Sequence, residues 1–283
     1  MTRSPLYFAL RRFADNKAAV VCGVILLTII LMAIFAPLIT QTGYEDQDFL
    51  TEALAFPSGA HLMGIDDLGR DFFARIVYGA RVSLTIGLSA ALFSVVIGIP
   101  LGAISGYYGG VADWFVMRLI ELFSVVPPLL AAMLLGALTG GGFVTIVLIA
   151  ALFGWVQVCL LVRAQVKAFR EKEFVRAAQA LGATPGYIIR RHLIPNSVSP
   201  IIVGFVLAIP LAMMLEASLS FLGIGVPPPT PSWGQMINVG MNFMYFYWHM
   251  AVFPTAALAI TVLATTLFGD GLRDALDPTL KGR

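Results

Sequence analysis

An all-α polytopic membrane protein is the fold class this sequence predicts, on three observations. The 283-residue chain is 59% hydrophobic and 12% charged, with a mean hydropathy of +0.88. A soluble domain carries about 25% charged residues. Six apolar stretches reach the roughly 20 residues that a helical bilayer span needs, at about 18–40, 82–105, 115–138, 143–166, 197–221 and 250–269. Basic residues gather in alternate connections between those stretches. A helix satisfies its own backbone in hydrocarbon, so a chain of this kind crosses as helices.

The first stretch has no charge from Ala18 to Tyr44. That is too long for a signal-peptide core of about 7–15 residues, and it is expected to remain as the first span. Residues 41–81 follow as an acidic connection, with a short amphipathic surface helix expected from Asp71 (Phe72, Ile76, Gly79, Val82) into the second span. GYYGG (106–110) separates spans two and three, and TGGGF (139–143) makes a tight hairpin between three and four. After span five, GIGVPPPTPSWG (223–234) reads as a stiff polyproline-like strap within the connection 222–249. Trp233, Tyr245, Tyr247 and Trp248 suit a membrane–water interface.

Orientation follows from Lys and Arg. Residues 1–17 hold Arg3, Arg11, Arg12 and Lys17. The stretch after span four holds Arg163, Lys167, Arg170, Lys172, Arg176, Arg190 and Arg191. The tail 271–283 holds Arg273, Lys281 and Arg283. These are 14 of the 18 basic residues. Arg70, Arg75 and Arg81 fall in 41–81 beside seven acids. Both termini and the loop 167–196 are therefore expected in the cytoplasm, and 41–81 and 222–249 outside.

The loop 167–196 is the most informative segment. Phe174, Ala177, Ala178 and Leu181 recur at i, i+3, i+4, i+7 and make one apolar helix face. Gly182 can take the left-handed conformation that ends a helix. Thr184-Pro185 signals a second helix start, and Pro195 is expected to break that helix. Small Ala177 and Ala178 allow close approach, and Phe169 or Phe174 offers an aromatic anchor. The pattern fits either a handle for a cytoplasmic partner or a helix lying on anionic lipid.

No catalytic, metal or cofactor site is expected. A phosphate loop needs Gly before its Lys, and none of Lys17, Lys167, Lys172 or Lys281 has one. His61, His192 and His249 are isolated, and Cys22 and Cys159 sit in apolar runs. Three ionisable groups fall in or near the spans. Glu121 has Arg118 one turn back for an i,i+3 pair. Glu216 has no basic neighbour, and either lines a path or caps helix ends. Asp270 is expected as solvated charge near Arg273.

The loop reads Arg176-Ala177-Ala178, three residues, Gly182, nine residues, His192-Leu193-Ile194-Pro195. It resembles the E-A-A-x3-G-x9-I-x-L-P loop of ABC importer permeases, with Arg for Glu, His for the first Ile and Ile for Leu. GIDDLGRD (64–71), GGVADWFVMRLIELFSVVPPLL (109–130), EASLSFLGIGVPPPTPSWG (216–234) and FGDGLRDALDP (268–278) are similar to the C-type subunit of the dipeptide/oligopeptide/nickel family. The resemblance implies a type I ABC importer permease fold, with its core at 82–270, in a bacterial inner membrane. It implies a second homologous permease, two cytoplasmic ATPases that bind ATP and Mg, and an extracytoplasmic solute-binding protein. Lipid is a further partner, and nucleic acid is not expected. Phe169, Phe174, Arg176, Ala177, Ala178, Leu181, Gly182 and Pro195 are then the coupling residues, and Glu216 and Glu121 the path candidates. Peptide is the expected cargo and nickel the alternative. A stand-alone secondary transporter or a membrane scaffold is the reading of a different class.

Overall fold

The computed structural model describes residues 5–48 and 52–276. Among these, every regular element is helical, and two isolated β-bridges, Gln47–Arg70 and Ile65–Asp71, are the only strand-like pairings. A helix not anticipated from the sequence, α1 (Pro5–Asp15), leads into α2 (Lys17–Ile34). Asn16 joins them and accepts a hydrogen bond from the Ala19 N–H at 3.1 Å, a side-chain cap. The expected span 18–40 is interrupted at Phe35, and α3 (Ala36–Ile39) follows with Pro37 in its first turn. Proline has no N–H with which to continue α2.

Residues 71–81 form no separate surface helix. Asp71 accepts from the Ala74 N–H at 2.8 Å, and α4 runs unbroken from Phe72 to Tyr108 (Phe72–Tyr108). At about 1.5 Å per residue it is roughly 55 Å long, well beyond a hydrocarbon core of about 30 Å. Its first turns are buried at Phe72, Ala74, Arg75, Ile76 and Val77. The amphipathic spacing marked a helix correctly but not its buried surroundings.

The expected span 115–138 begins earlier and is broken. α5 (Gly110–Val125) and α6 (Pro128–Thr139) meet at 80°. Val126 and Pro127 each precede a proline and take extended conformations, because proline disfavours helix in the residue before it. α7 (Phe143–Arg170) outlasts the predicted 143–166 through its basic end. The loop region is itself mostly helical, as α8 (Glu173–Ala180), α9 (Pro185–Ile188), a π turn (Ile189–Leu193) and α10 (Ile194–Asn196). α11 (Val198–Phe221) follows.

The connection 222–249 contains α12 (Trp233–Phe243), another helix missed in the sequence. Trp233 is 2% exposed and donates its indole N–H to the Ile76 carbonyl at 3.0 Å, so it is a packing residue and no interface anchor. Tyr245 and Trp248 are exposed. The segment before α12 turns at residues 228–229 rather than running straight. α13 (His249–Leu276) ends the described chain, and residues 277–283 of the expected tail, with Lys281 and Arg283, lie outside it. Among the described residues, five helices (α2, α4, α7, α11 and α13) are long and apolar enough to cross a membrane, and the bent α5–α6 pair makes a sixth when counted as one span.

The α4–α7 contact is the spine of the bundle. Gly98, Gly102 and Gly106 line one face of α4, and a Cβ on Gly102 would sit 2.5 Å from the Cys159 carbonyl oxygen. Spacing small residues by four lets two helix backbones touch. Val158, Val162 and Val166 of α7 fill the space alongside Ala103 and Tyr107. Gly102→Val should push α7 off α4, cost at least about 1–3 kcal/mol as overpacking, and lower the thermal unfolding midpoint in detergent. An unchanged midpoint would refute this packing.

A polar knot closes the opposite end of the bundle from the 171–197 loop. Asp66 accepts from the Leu68 and Arg70 amides at 2.9 Å and from the Arg70 guanidinium at 2.7 Å, with Arg75 at 3.4 Å. Arg75 also donates to the Tyr44 carbonyl at 3.2 Å and the Pro229 carbonyl at 3.4 Å. A buried guanidinium is tolerated when paired and hydrogen-bonded, and here it binds both flanking connections to α4. Beside it, burial and the Asp66 charge push the Asp67 carboxyl above its usual range.

Candidate coupling face and buried polar centres

α8 has an inward and an outward side. Val175 is fully buried and packs, with Ala178 half-buried beside it, against Tyr107, Val162, Val166, Ile188 and Leu193. Phe174 is 40% exposed, Leu181 88% exposed, and Ala177 is exposed. The predicted apolar face is thus split: Ala177 and Leu181 are exposed, Phe174 is partly exposed with its ring between Phe169 and His192, and Ala178 turns inward. Val175 was missed because its inward stripe is short and interrupted by Lys172 and Gln179. Gln179 donates to the Tyr107 hydroxyl at 3.4 Å. Arg176 lies 3.2 Å from Glu171, both exposed, a geometry that contributes little.

The helix is locked at its end. Ala183 N–H donates to the Ala178 carbonyl at 3.0 Å, and Gly182 N–H to the Gln179 carbonyl at 2.9 Å. Gly182 sits at φ +79°. These are the two bonds of a Schellman motif, which needs a left-handed residue where Gly182 stands. Thr184 is extended before Pro185, but its side chain makes no cap hydrogen bond.

Pro195 does not break the second helix. Ile194 N–H reaches the Ile189 carbonyl across the π turn, and Ser197 Oγ donates to the Leu193 carbonyl at 2.9 Å. The wider turn makes room for a residue without an N–H. Only Ser197 then separates α10 from α11. Phe169, Phe174, His192 and Tyr187 form a chain of ring contacts at 5.7–6.5 Å across the loop. The arrangement is a short helical loop that exposes Phe174, Ala177 and Leu181, joined to α7 at one end and α11 at the other.

The two path candidates are far apart in character. Glu121 lies on an exposed face of α5 and pairs with Arg118 at 2.5 Å, while Arg118 stacks over Trp114 at 5.7 Å. Glu216 is fully buried. It accepts from Ser220 Oγ at 2.7 Å and Ser83 Oγ at 3.2 Å. Trp233 N–H, at the start of α12, lies 3.4 Å from Ser83 Oγ, and Ser232 Oγ 3.4 Å from Ser220 Oγ. Through these hydroxyls Glu216 of α11 is linked to α4 and to the N-terminal end of α12. Glu216→Ala should leave two buried hydroxyls unpaired and cost about 1–3 kcal/mol. Glu216→Gln, which still accepts, should cost less. Equal unfolding midpoints for both variants would contradict this role.

One polar centre went unnoticed in the sequence. Asp113, in the first turn of α5, meets Arg163 of α7 in a bidentate pair, with Nε–Oδ1 at 2.6 Å and Nη2–Oδ2 at 2.7 Å, and accepts from Ser105 Oγ of α4 at 2.5 Å. Their separation of 50 residues carries no local signal. No group of three or more His, Cys, Asp or Glu side chains among the described residues is placed to hold a metal ion.

Residues 98–282 match the family described as binding-protein-dependent transport system inner membrane component, and residues 4–57 match the N-terminal TM domain of oligopeptide transport permease C. The chain is 41% identical over 273 residues to the oligopeptide transport system permease protein OppC of Bacillus subtilis, covering 96% of this chain and 89% of that one. It is 40% identical over 282 residues to the glutathione transport system permease protein GsiD of Pectobacterium atrosepticum, covering 99% and 93%. The dipeptide transport system permease protein DppC of Bacillus subtilis is 41% identical over 274 residues, covering 96% and 85%. In structure, the chain is similar to the inward-facing MetNI methionine ABC transporter, with a TM-score of 0.55 at 19% identity, covering 72% of this chain and 96% of that one.

Proposed function

The chain belongs to the binding-protein-dependent transport system inner membrane component family, and from that premise we propose that it imports short peptides by coupling two cytoplasmic ATPases to half of a translocation pathway. It is a permease subunit of an ABC importer with the type I fold. The relatives named for oligopeptide, dipeptide and glutathione transport support the peptide assignment. Glutathione is itself a tripeptide, so a small molecule with a peptide backbone and charged ends is the shared chemistry. A second, homologous permease completes the pathway, and a solute-binding protein delivers cargo at the end closed by Asp66 and Arg75. ATP and Mg are bound by the ATPase subunits. The distribution of Lys and Arg supports an inner-membrane orientation with both termini and the 171–197 loop in the cytoplasm.

The observation that carries this reading is the outward face of Phe174, Ala177 and Leu181 on a helix locked by Gly182. Apolar side chains presented at the end of a stiff lever fit a groove on a soluble partner. ATP binding closes the ATPase pair, the docked levers swing, and the spans tilt to open outward. Shifting a two-state population from 1:99 to 99:1 takes about 5.5 kcal/mol of differential binding, which a fixed helix transmits and a frayed one does not. Proteoliposomes with every subunit should take up a labelled tripeptide only with ATP. Uptake driven by a proton gradient alone, or undiminished without this chain, would overturn the proposal.

A further inference from the structure

The Asp113–Arg163 pair sits where three helices meet beside the lever. Arg163 lies two turns before the end of α7, which passes into α8 through two residues. Asp113 lies in the first turn of α5, which leads through the 80° break into α6. Ser105 lies in the last turn of α4. A bidentate guanidinium–carboxylate pair fixes distance and angle together. Here both partners are about four-fifths shielded, at 22% and 21% exposure, so water screens them less than an open surface pair. Elsewhere α5 contacts the bundle through an apolar cluster of Val116 and Ile120 against Trp155, Val156 and Cys159 of α7 and Leu101 of α4. Met117, Leu119 and Phe123 are half-buried beside that cluster, with Phe123 against Phe153 and Trp155, while Val111, Phe115, Leu122 and Val125 are exposed.

We propose that the Asp113–Arg163 pair is the clamp that makes the broken α5–α6 span follow the lever, so that motion of α8 is passed through α7 into α5 and across the bend. Asp113 is a positioning residue: it touches neither cargo nor nucleotide, and acts by holding α5 to α7. This inference rests on the chain acting as an ATP-coupled permease.

The test uses the full complex in proteoliposomes, with a labelled tripeptide as probe. Asp113→Ala should assemble with its partners and lower uptake per ATP hydrolysed by about fivefold or more, the lower range of inter-site coupling. Exchanging the charges, Asp113→Arg with Arg163→Asp, should restore most of the loss. A pair of nitroxides at Val125→Cys and Tyr245→Cys, both exposed sites, reads α5 directly, since the native Cys22 and Cys159 are buried. Their separation should change on ATP binding in the wild type and stay fixed in Asp113→Ala. A nucleotide-dependent change of wild-type size in Asp113→Ala, or unaltered uptake per ATP, would overturn the clamp. Should Asp113→Ala not assemble, the charge exchange decides: assembled and coupled supports the clamp, assembled and uncoupled overturns it. A wild-type complex without ATP-driven tripeptide uptake would instead refute the cargo or function proposed above, and the nitroxide distances, which need no cargo, would still judge the clamp.

Discussion

An Ala177→Trp variant should fold normally and lose its ATPase subunits during purification. Ala177 is exposed on α8 between Phe174 and Leu181, so an indole there is accommodated at the surface, beside those two side chains. Surface changes of this kind shift stability by about 0.5 kcal/mol or less. In a docked complex the same indole would occupy the closest approach of two surfaces. Disrupting the centre of an interface costs about 2–4 kcal/mol, some thirtyfold or more in affinity. The check is co-purification of the ATPases with the variant, beside its unfolding midpoint in detergent. Full recovery of the ATPases would show that the outward side of α8 is not the docking face.

Gly182→Val should spare docking more than coupling. Nothing lies within 4 Å of a Cβ built on Gly182, so the substitution meets no steric obstacle from neighbouring side chains. Its cost is the left-handed backbone, φ +79°, about 1–2 kcal/mol for a residue with a Cβ. That strain opposes the two hydrogen bonds closing α8, and the helix end should fray. Uptake per ATP should fall, while Gly182→Asn, which tolerates this conformation, should fall less. Equal coupling in the Val and Asn variants would mean that the Schellman closure is unimportant.

The spans, the loop and its glycine were legible because each is a local signal. Composition and run length reveal apolar helices, and Gly182 follows one helical stripe and precedes Thr184-Pro185. The misreadings arose where a partner distant in sequence decides the outcome. Trp233 resembles an interfacial residue until Ile76 supplies a buried acceptor. Residues 72–81 resemble a surface helix until Arg75 is seen holding Tyr44 and Pro229. Pro195 reads as a helix breaker because a π turn has no recognisable sequence pattern. Asp113 and Arg163, on different helices, showed no local sign of a pair. The Arg118–Glu121 contact, one turn apart, did.

In the proposed mechanism α8 is gripped by a nucleotide-driven partner. The most direct measurement places a photocrosslinker at Leu181, 88% exposed at the end of α8, in membranes containing the whole transporter. An adduct with the ATPase polypeptide, its yield changing with nucleotide, is the expected result. Adducts with lipid headgroups alone would contradict it.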